Sequence, residues 1–253
     1  MRDQVRTFIL LTIILAALGL YAVVPLRLTY AQVALRKIAL PHHANAPAKP
    51  LRQPAKATRP APKAKGKTCI LFFGDSMLEE LSRRLDDYAA ANGYQMQTVI
   101  WYGSSTEKWG MTQTLRRLIA EYKPTYLWLC LGSNELFVRD LEERDAYIKL
   151  LLSQTGDLPF VWIGPPNWKQ DTGIDDLIRR NVGDDHYFDS SQLRLKRKKD
   201  GRHPTKEAAA QWADTVATWM QGRHNAHPLP MRKPQKAAHC PTRIFQPDFE
   251  GYQ

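Results

Sequence analysis

From residue 69 onward, short apolar runs alternate with longer stretches of helical periodicity, and that alternation restricts the chain to few folds. Runs at 69–73, 96–102, 126–131, 160–163 and 186–189 have the length and the bounding turn residues of buried strands. Between them, 78–91, 113–122, 141–152 and 206–220 repeat apolar residues at helical spacing, and 174–181 does so more weakly. Strand and helix in turn imply βαβ units and a parallel sheet. Right-handed crossovers then lay helices over both faces. The expectation is an α/β protein, a three-layer α/β/α sandwich on five parallel strands, with functional groups on loops at the carboxyl ends of the strands.

The formal charge of +11 suggests a nucleic-acid partner until the charges are located along the chain. Residues 27–67 hold ten Lys or Arg and no Asp or Glu, residues 1–26 net one positive charge, and residues 68–253 are formally neutral. The basicity belongs to a leader and a linker, so no nucleic-acid partner is expected. Residues 7–26 form an uncharged, mostly apolar run, close to the roughly 20 residues a helix needs to cross a bilayer. Segment 1–26 is therefore read as a signal-anchor. A cleaved signal peptide is the alternative, with a weak site at Thr29-Tyr30-Ala31. Arg27, Arg36 and Lys37 follow the anchor and oppose a simple positive-inside orientation.

Segment 27–67 is rich in Pro, Ala and Lys without periodicity, as an extended linker is. It serves as a solvated spacer or rests on anionic lipid or wall polymer. Residues 68–222 make the folded domain. The proline-rich 223–253, with His224, His227 and His239 irregularly spaced, is expected to be a poorly ordered tail. Three cysteines leave at least one unpaired and make no disulfide framework. Cys69 and Cys130 lie in apolar runs and read as small buried residues, Cys240 is isolated in the tail, and no cluster resembles a zinc site.

Four short blocks follow strand candidates or precede the last helix. Gly74-Asp75-Ser76 sits at a strand-to-helix turn, where a serine hydroxyl is exposed and its backbone N–H lies near a helix N-terminus. A simple helix cap explains the same residues equally well. Gly103 follows the second strand and allows close approach to the backbone, or makes an ordinary turn. Gly132-Ser133-Asn134 follows the third strand and brings an amide that can donate to an oxyanion, although loop asparagines mostly serve turns. Asp200-Gly201-Arg202-His203 precedes the last helix, and one short loop presents both an imidazole and a carboxylate to orient it. All four converge on one edge of the expected sheet.

With these blocks the sequence resembles the SGNH/GDSL hydrolase family over 68 to about 221: GDS at 74–76, a glycine at Gly103, GSN at 132–134 and DxxH at 200–203. The resemblance implies a flavodoxin-like sheet, a catalytic triad of Ser76, Asp200 and His203, an oxyanion hole from the Ser76 and Gly103 N–H groups and the Asn134 side chain, and no metal or cofactor. It implies action on ester bonds. One departure is Glu135, where the third block commonly continues with Asp; another is the shortness of the block at Gly103.

For the substrate, the run Arg194-Leu195-Lys196-Arg197-Lys198-Lys199 borders the Asp200 block and either attracts an anionic polymer or forms a solvated loop. Trp109 and Trp168 are candidates to stack on sugar rings. The combined expectation is a serine esterase, tethered to the inner (cytoplasmic) membrane with its catalytic domain on the extracytoplasmic or periplasmic side, that removes an O-acyl group, such as acetyl, from a cell-envelope glycan. The outward placement leans on the family as well as on charge. An O-acyltransferase using the same triad and a catalytically silent envelope-binding protein are the alternatives.

Overall fold

The computed structural model describes residues 67–253 and two short strands, Thr29–Tyr30 and Val33–Ala34, that pair antiparallel within an N-terminal unit. The expected anchor at 1–26 and almost all of the linker lie outside the described residues. Among the described residues, no helix is long and apolar enough to cross a membrane.

The second unit, Arg59–Gln253, contains a six-stranded, all-parallel sheet. Its strands are β1 (Cys69–Gly74), β2 (Gln95–Trp101), β3 (Tyr126–Cys130), β4 (Phe160–Ile163), β5 (Tyr187–Phe188) and β6 (Thr242–Phe245). They lie in the order β5-β4-β3-β1-β2-β6. The first five strands thus have the 2-1-3-4-5 order of doubly wound flavodoxin-like sheets, whose switch point lies between β1 and β3. Six helices connect and flank them: α1 (Leu78–Ala91), α2 (Thr106–Met111), α3 (Thr114–Tyr122), α4 (Leu141–Ser153), α5 (Ile174–Val182) and α6 (Lys206–Met220).

Alternation along each strand sends side chains to opposite faces, and β1 shows the result. Ile70 and Phe72 join the core formed with Leu78, Leu81 and Leu85 of α1 and Trp212 and Val216 of α6. Leu71 and Phe73 join the opposite core with Trp109 of α2, Leu115 and Leu118 of α3, Ile148 of α4 and Ile178 of α5. Both faces are covered, which is why β1 and β3 read as continuous apolar runs rather than as alternating ones. The helices locate themselves by ordinary local chemistry. Glu79 and Glu80 complement the first turn of α1, and the Thr205 side chain accepts from Ala208 N at the start of α6.

The sixth strand corrects both the strand count and the reading of 223–253. That segment crosses the molecule and joins the sheet edge, with Thr98 N donating to Pro241 O at 2.9 Å and Tyr102 N to Phe245 O at 3.0 Å. Cys240 N donates to Asp86 Oδ2 on α1 at 3.2 Å, and Met231 is buried against the same face. Beyond β6, Phe249 packs on Trp101 with ring centroids 5.1 Å apart, and Arg117 stacks over Tyr252 at 4.1 Å. Prolines prevent a helix here, but they do not prevent an extended segment from pairing with an open edge.

Candidate active site

The site lies at the carboxyl ends of β1 and β3, flanking the switch point. Gly74 ends β1 beside β3, where an added Cβ would fall 1.9 Å from the Cys130 carbonyl oxygen, so only glycine permits the approach. Asp75 N donates to that same oxygen at 3.2 Å. The chain then turns, presenting Ser76 immediately before α1.

Asp75 points inward and is fully buried. Its Oδ1 accepts from Met77 N at 2.9 Å and its Oδ2 from Ser133 Oγ at 2.7 Å. The carboxylate therefore links the serine turn to the loop after β3. Burial pushes its pKa up to about 6, against the opposing pull of those two hydrogen bonds.

After β3 the chain makes a short 3₁₀ turn, Ser133–Glu135. Asn134 Nδ2 donates to Ser104 O at 2.9 Å, so the acceptor defines which end of the amide is nitrogen. The amide's second N–H has no protein acceptor among the described residues. Glu135 turns the other way into the core, accepting from Thr106 N at 2.8 Å and Thr106 Oγ1 at 2.6 Å, with Arg144 at 3.6 Å. Burial raises its pKa. Glu135 thus ties the loop after β3 to the first residue of α2.

Across the cleft, the loop before α6 is built from itself. Asp200 Oδ1 accepts from Arg202 N at 2.8 Å and His203 N at 3.0 Å, while Oδ2 lies 2.7 Å from His203 Nδ1. The Arg202 N–H, followed by the imidazole, holds the Asp200 carboxyl well below the usual range. A carboxylate at Nδ1 requires the proton on that nitrogen, which leaves Nε2 as the acceptor facing Ser76 Oγ, 2.9 Å away. The loop is clamped by Lys198 N donating to His203 O at 2.8 Å and by the Arg197 guanidinium, which donates to Arg202 O, Pro166 O and Asn167 O.

Ser76, Met77, Ser133, Asn134, Phe137, Trp168, Arg202 and His203 line a cleft of about 200 Å³ over this assembly. A hydroxyl so placed can pass its proton to the imidazole as it attacks an electrophilic carbon, while the carboxylate orients the ring.

Of the residues expected from sequence, Ser76, Asn134, Asp200, His203 and Trp168 meet here. Gly103 does not line the cleft; it is an exposed turn glycine with φ +66°, one residue from the Ser104 carbonyl that holds Asn134. Trp109 is corrected. It is fully buried on α2, packs on Phe73 and Trp101 at 4.8 and 5.3 Å, and donates its Nε1–H to Ser104 Oγ at 3.0 Å. The short helix α2 turns that ring into the core, and six residues are too few to show a helical period.

Sequence reasoning missed the Asp75–Ser133 link and the part played by Phe137 and Arg202 in the cleft. The signal for the first was a buried-type position occupied by Asp; the others carried none. Among the described residues, no three or more His, Cys, Asp or Glu side chains are grouped to hold a metal ion.

No family model and no curated protein sequence matches the chain. Among solved structures it is similar to the lipase/acylhydrolase from Enterococcus faecalis, at 17% identity over 67% of this chain and 100% of that one, with a TM-score of 0.49. It is also similar to a gut microbial diltiazem-metabolizing enzyme, at 12% identity over 62% of this chain and 48% of that one, with a TM-score of 0.44.

Proposed function

We propose that the chain is a serine esterase of the SGNH/GDSL type that removes an O-acyl group from a cell-envelope glycan. The observation that carries this reading is the unbroken series Ser76 Oγ, His203 Nε2, His203 Nδ1, Asp200 Oδ2, with contacts of 2.9 and 2.7 Å at its two joints. Ser76 Oγ attacks the ester carbonyl carbon as its proton passes to Nε2, and the imidazolium returns that proton to the departing sugar oxygen as the C–O bond breaks. Water then attacks the acyl-Ser76 ester, giving its proton to Nε2; collapse returns the proton to Ser76 and releases the carboxylic acid. Asp200 stays ionised throughout, in keeping with its depressed pKa. The free Asn134 N–H and the Ser76 N–H are the donors assigned to the oxyanion.

The apolar run 7–26 and the basic linker support tethering of this domain outside a membrane, within reach of envelope polymers. The test is labelling with a serine-directed fluorophosphonate together with acetate release from acetylated glycans. Labelling at Ser76 that is lost in Ser76→Ala, with acetate released by the wild type, is expected. Folded wild-type protein that neither labels nor releases acetate overturns the reading, and acetate release suppressed by acceptor oligosaccharide in favour of an acylated product identifies a transferase instead.

A further inference from the structure

Trp168 lines the catalytic cleft and also a second cavity of about 440 Å³, bounded by Asn167 and the segment from Ser191 to Arg197 that leads from β5 into the Asp200 loop. That volume lies within the ~300–1,000 Å³ of sites that take small ligands. The basic run singled out in the sequence forms much of its wall, and the structure divides that run by what each charge does. Arg197 is committed to three backbone carbonyls, and Lys198 pairs with Glu80 at 2.9 Å. Arg194 and Lys196, in contrast, are exposed and form no ion pair or side-chain hydrogen bond among the described residues. Glu207 is close enough to feel Lys196 but lies beyond ion-pair distance.

Trp168 itself presents charge rather than a bare ring. The Arg202 guanidinium lies 4.9 Å and the Lys169 ammonium 5.5 Å from its ring centroid, while Phe137 packs edge-on at 5.4 Å. Neither cation has a carboxylate partner among the described residues, and Arg202 also lines the catalytic cleft. A string of unneutralised cations therefore runs from the mouth of the Ser76 cleft, around Trp168, into a polar cavity where Ser191 and Gln192 offer hydrogen bonds to hydroxyl groups.

We propose that this cavity is a subsite for a negatively charged repeat unit adjacent to the acylated one, so that the substrate is an anionic envelope polymer. The inference rests on the ester-hydrolase reading and names its substrate class. Arg194 and Lys196 receive the negative group, a carboxylate or a backbone phosphodiester, and Arg202 orients the chain between subsite and ester. Guanidinium and ammonium groups left without partners are otherwise solvated, and a multivalent anion gains charge-assisted contacts from several of them at once.

The experiment uses the full chain and three acetylated substrates: an oligogalacturonate, a phosphodiester-linked glycerol oligomer, and a neutral xylo-oligosaccharide. In the wild type, kcat/KM for at least one charged substrate should exceed that for the neutral one by about tenfold or more, the size of one charge-assisted contact. The charged arm that shows the preference identifies the source of the anion. The preference should shrink as salt is raised. It should collapse towards unity in Arg194→Gln/Lys196→Gln and survive in the charge-preserving Arg194→Lys/Lys196→Arg, which also controls for folding. Equal kcat/KM for all three wild-type substrates, or a preference that persists in the Gln pair, overturns the subsite. Calorimetric binding of unacetylated oligogalacturonate and glycerol-phosphate oligomer to Ser76→Ala reads the cavity without turnover. Binding that depends on Arg194 and Lys196 in a chain lacking wild-type esterase activity keeps the subsite and removes the hydrolase; turnover without charge preference does the reverse.

Discussion

The two walls of the cleft are made in opposite ways. On the wall proposed for acid–base chemistry, Asp200, Arg202 and His203 lie within four residues, are joined by hydrogen bonds to the Asp200 carboxylate, and are partly exposed to solvent. On the wall proposed to supply the nucleophile, Ser76 and Asn134 come from different strand ends, held in place by buried groups: Asp75 on Ser133, Ser104 on Asn134, Glu135 on Thr106. The first wall should carry chemistry with little influence on stability. The second should carry both.

Four substitutions sharpen or break that comparison. His203→Ala should lower kcat by about a millionfold, the cost of losing the base of such a triad, while shifting unfolding free energy by no more than about 0.5 kcal/mol, as exposed sites do. A large loss of stability would deny that the acid–base wall is self-contained. Asn134→Ala should cost about 10²–10³ in kcat with little change in KM; an unchanged kcat removes Asn134 from the oxyanion hole. Ser133→Ala leaves Asp75 Oδ2 buried without its donor, so denaturant unfolding should report a loss of about 1–3 kcal/mol. A neutral result there means the two loops hold together without the link.

The smallest effect concerns pH. A buried carboxyl whose folded pKa is raised keeps its proton in the folded state where the unfolded chain has already released it. Asp75 therefore withdraws stability as pH climbs from the ordinary carboxylate range to about 6. Asp86, raised to about 6, and Asp175, raised to about 7, act in the same direction, both chiefly through burial. Asp75→Asn should flatten the fall in melting temperature across that window without abolishing it. An unaltered slope would mean that Asp75 carries no such penalty.

The same contrast explains what was legible in the sequence. The self-bonded loop at 200–203 can be read from its spacing, because its partners are neighbours in the chain. The strands β1, β3 and β4 are legible because parallel strands covered on both faces are uninterrupted apolar runs. The Asp75–Ser133 link joins residues from different blocks, and either residue alone reads as an ordinary turn or cap. Trp109 and β6 failed for a related reason. Whether an aromatic ring faces a cleft or a core, and whether a proline-rich segment finds an edge to pair with, depend on the tertiary surroundings rather than on local pattern. The basic run shows the limit within a single segment: six adjacent positions contain a half-buried clamp at Arg197, an ion pair at Lys198 and unpaired charges at Arg194 and Lys196.

The strand β6 also bears on how the domain is made. It pairs with β2, from Thr98↔Thr242 to Trp101↔Phe245, and most of the domain lies in the chain between the two partners. Until they pair, the β2 edge has no neighbour on that side, and Trp101 lacks the rings of Phe245 and Phe249. Domains usually fold as units, and such long-range pairing comes late. Without 242–245 the sheet has five strands and an open β2 edge, the kind of edge on which another copy can pair.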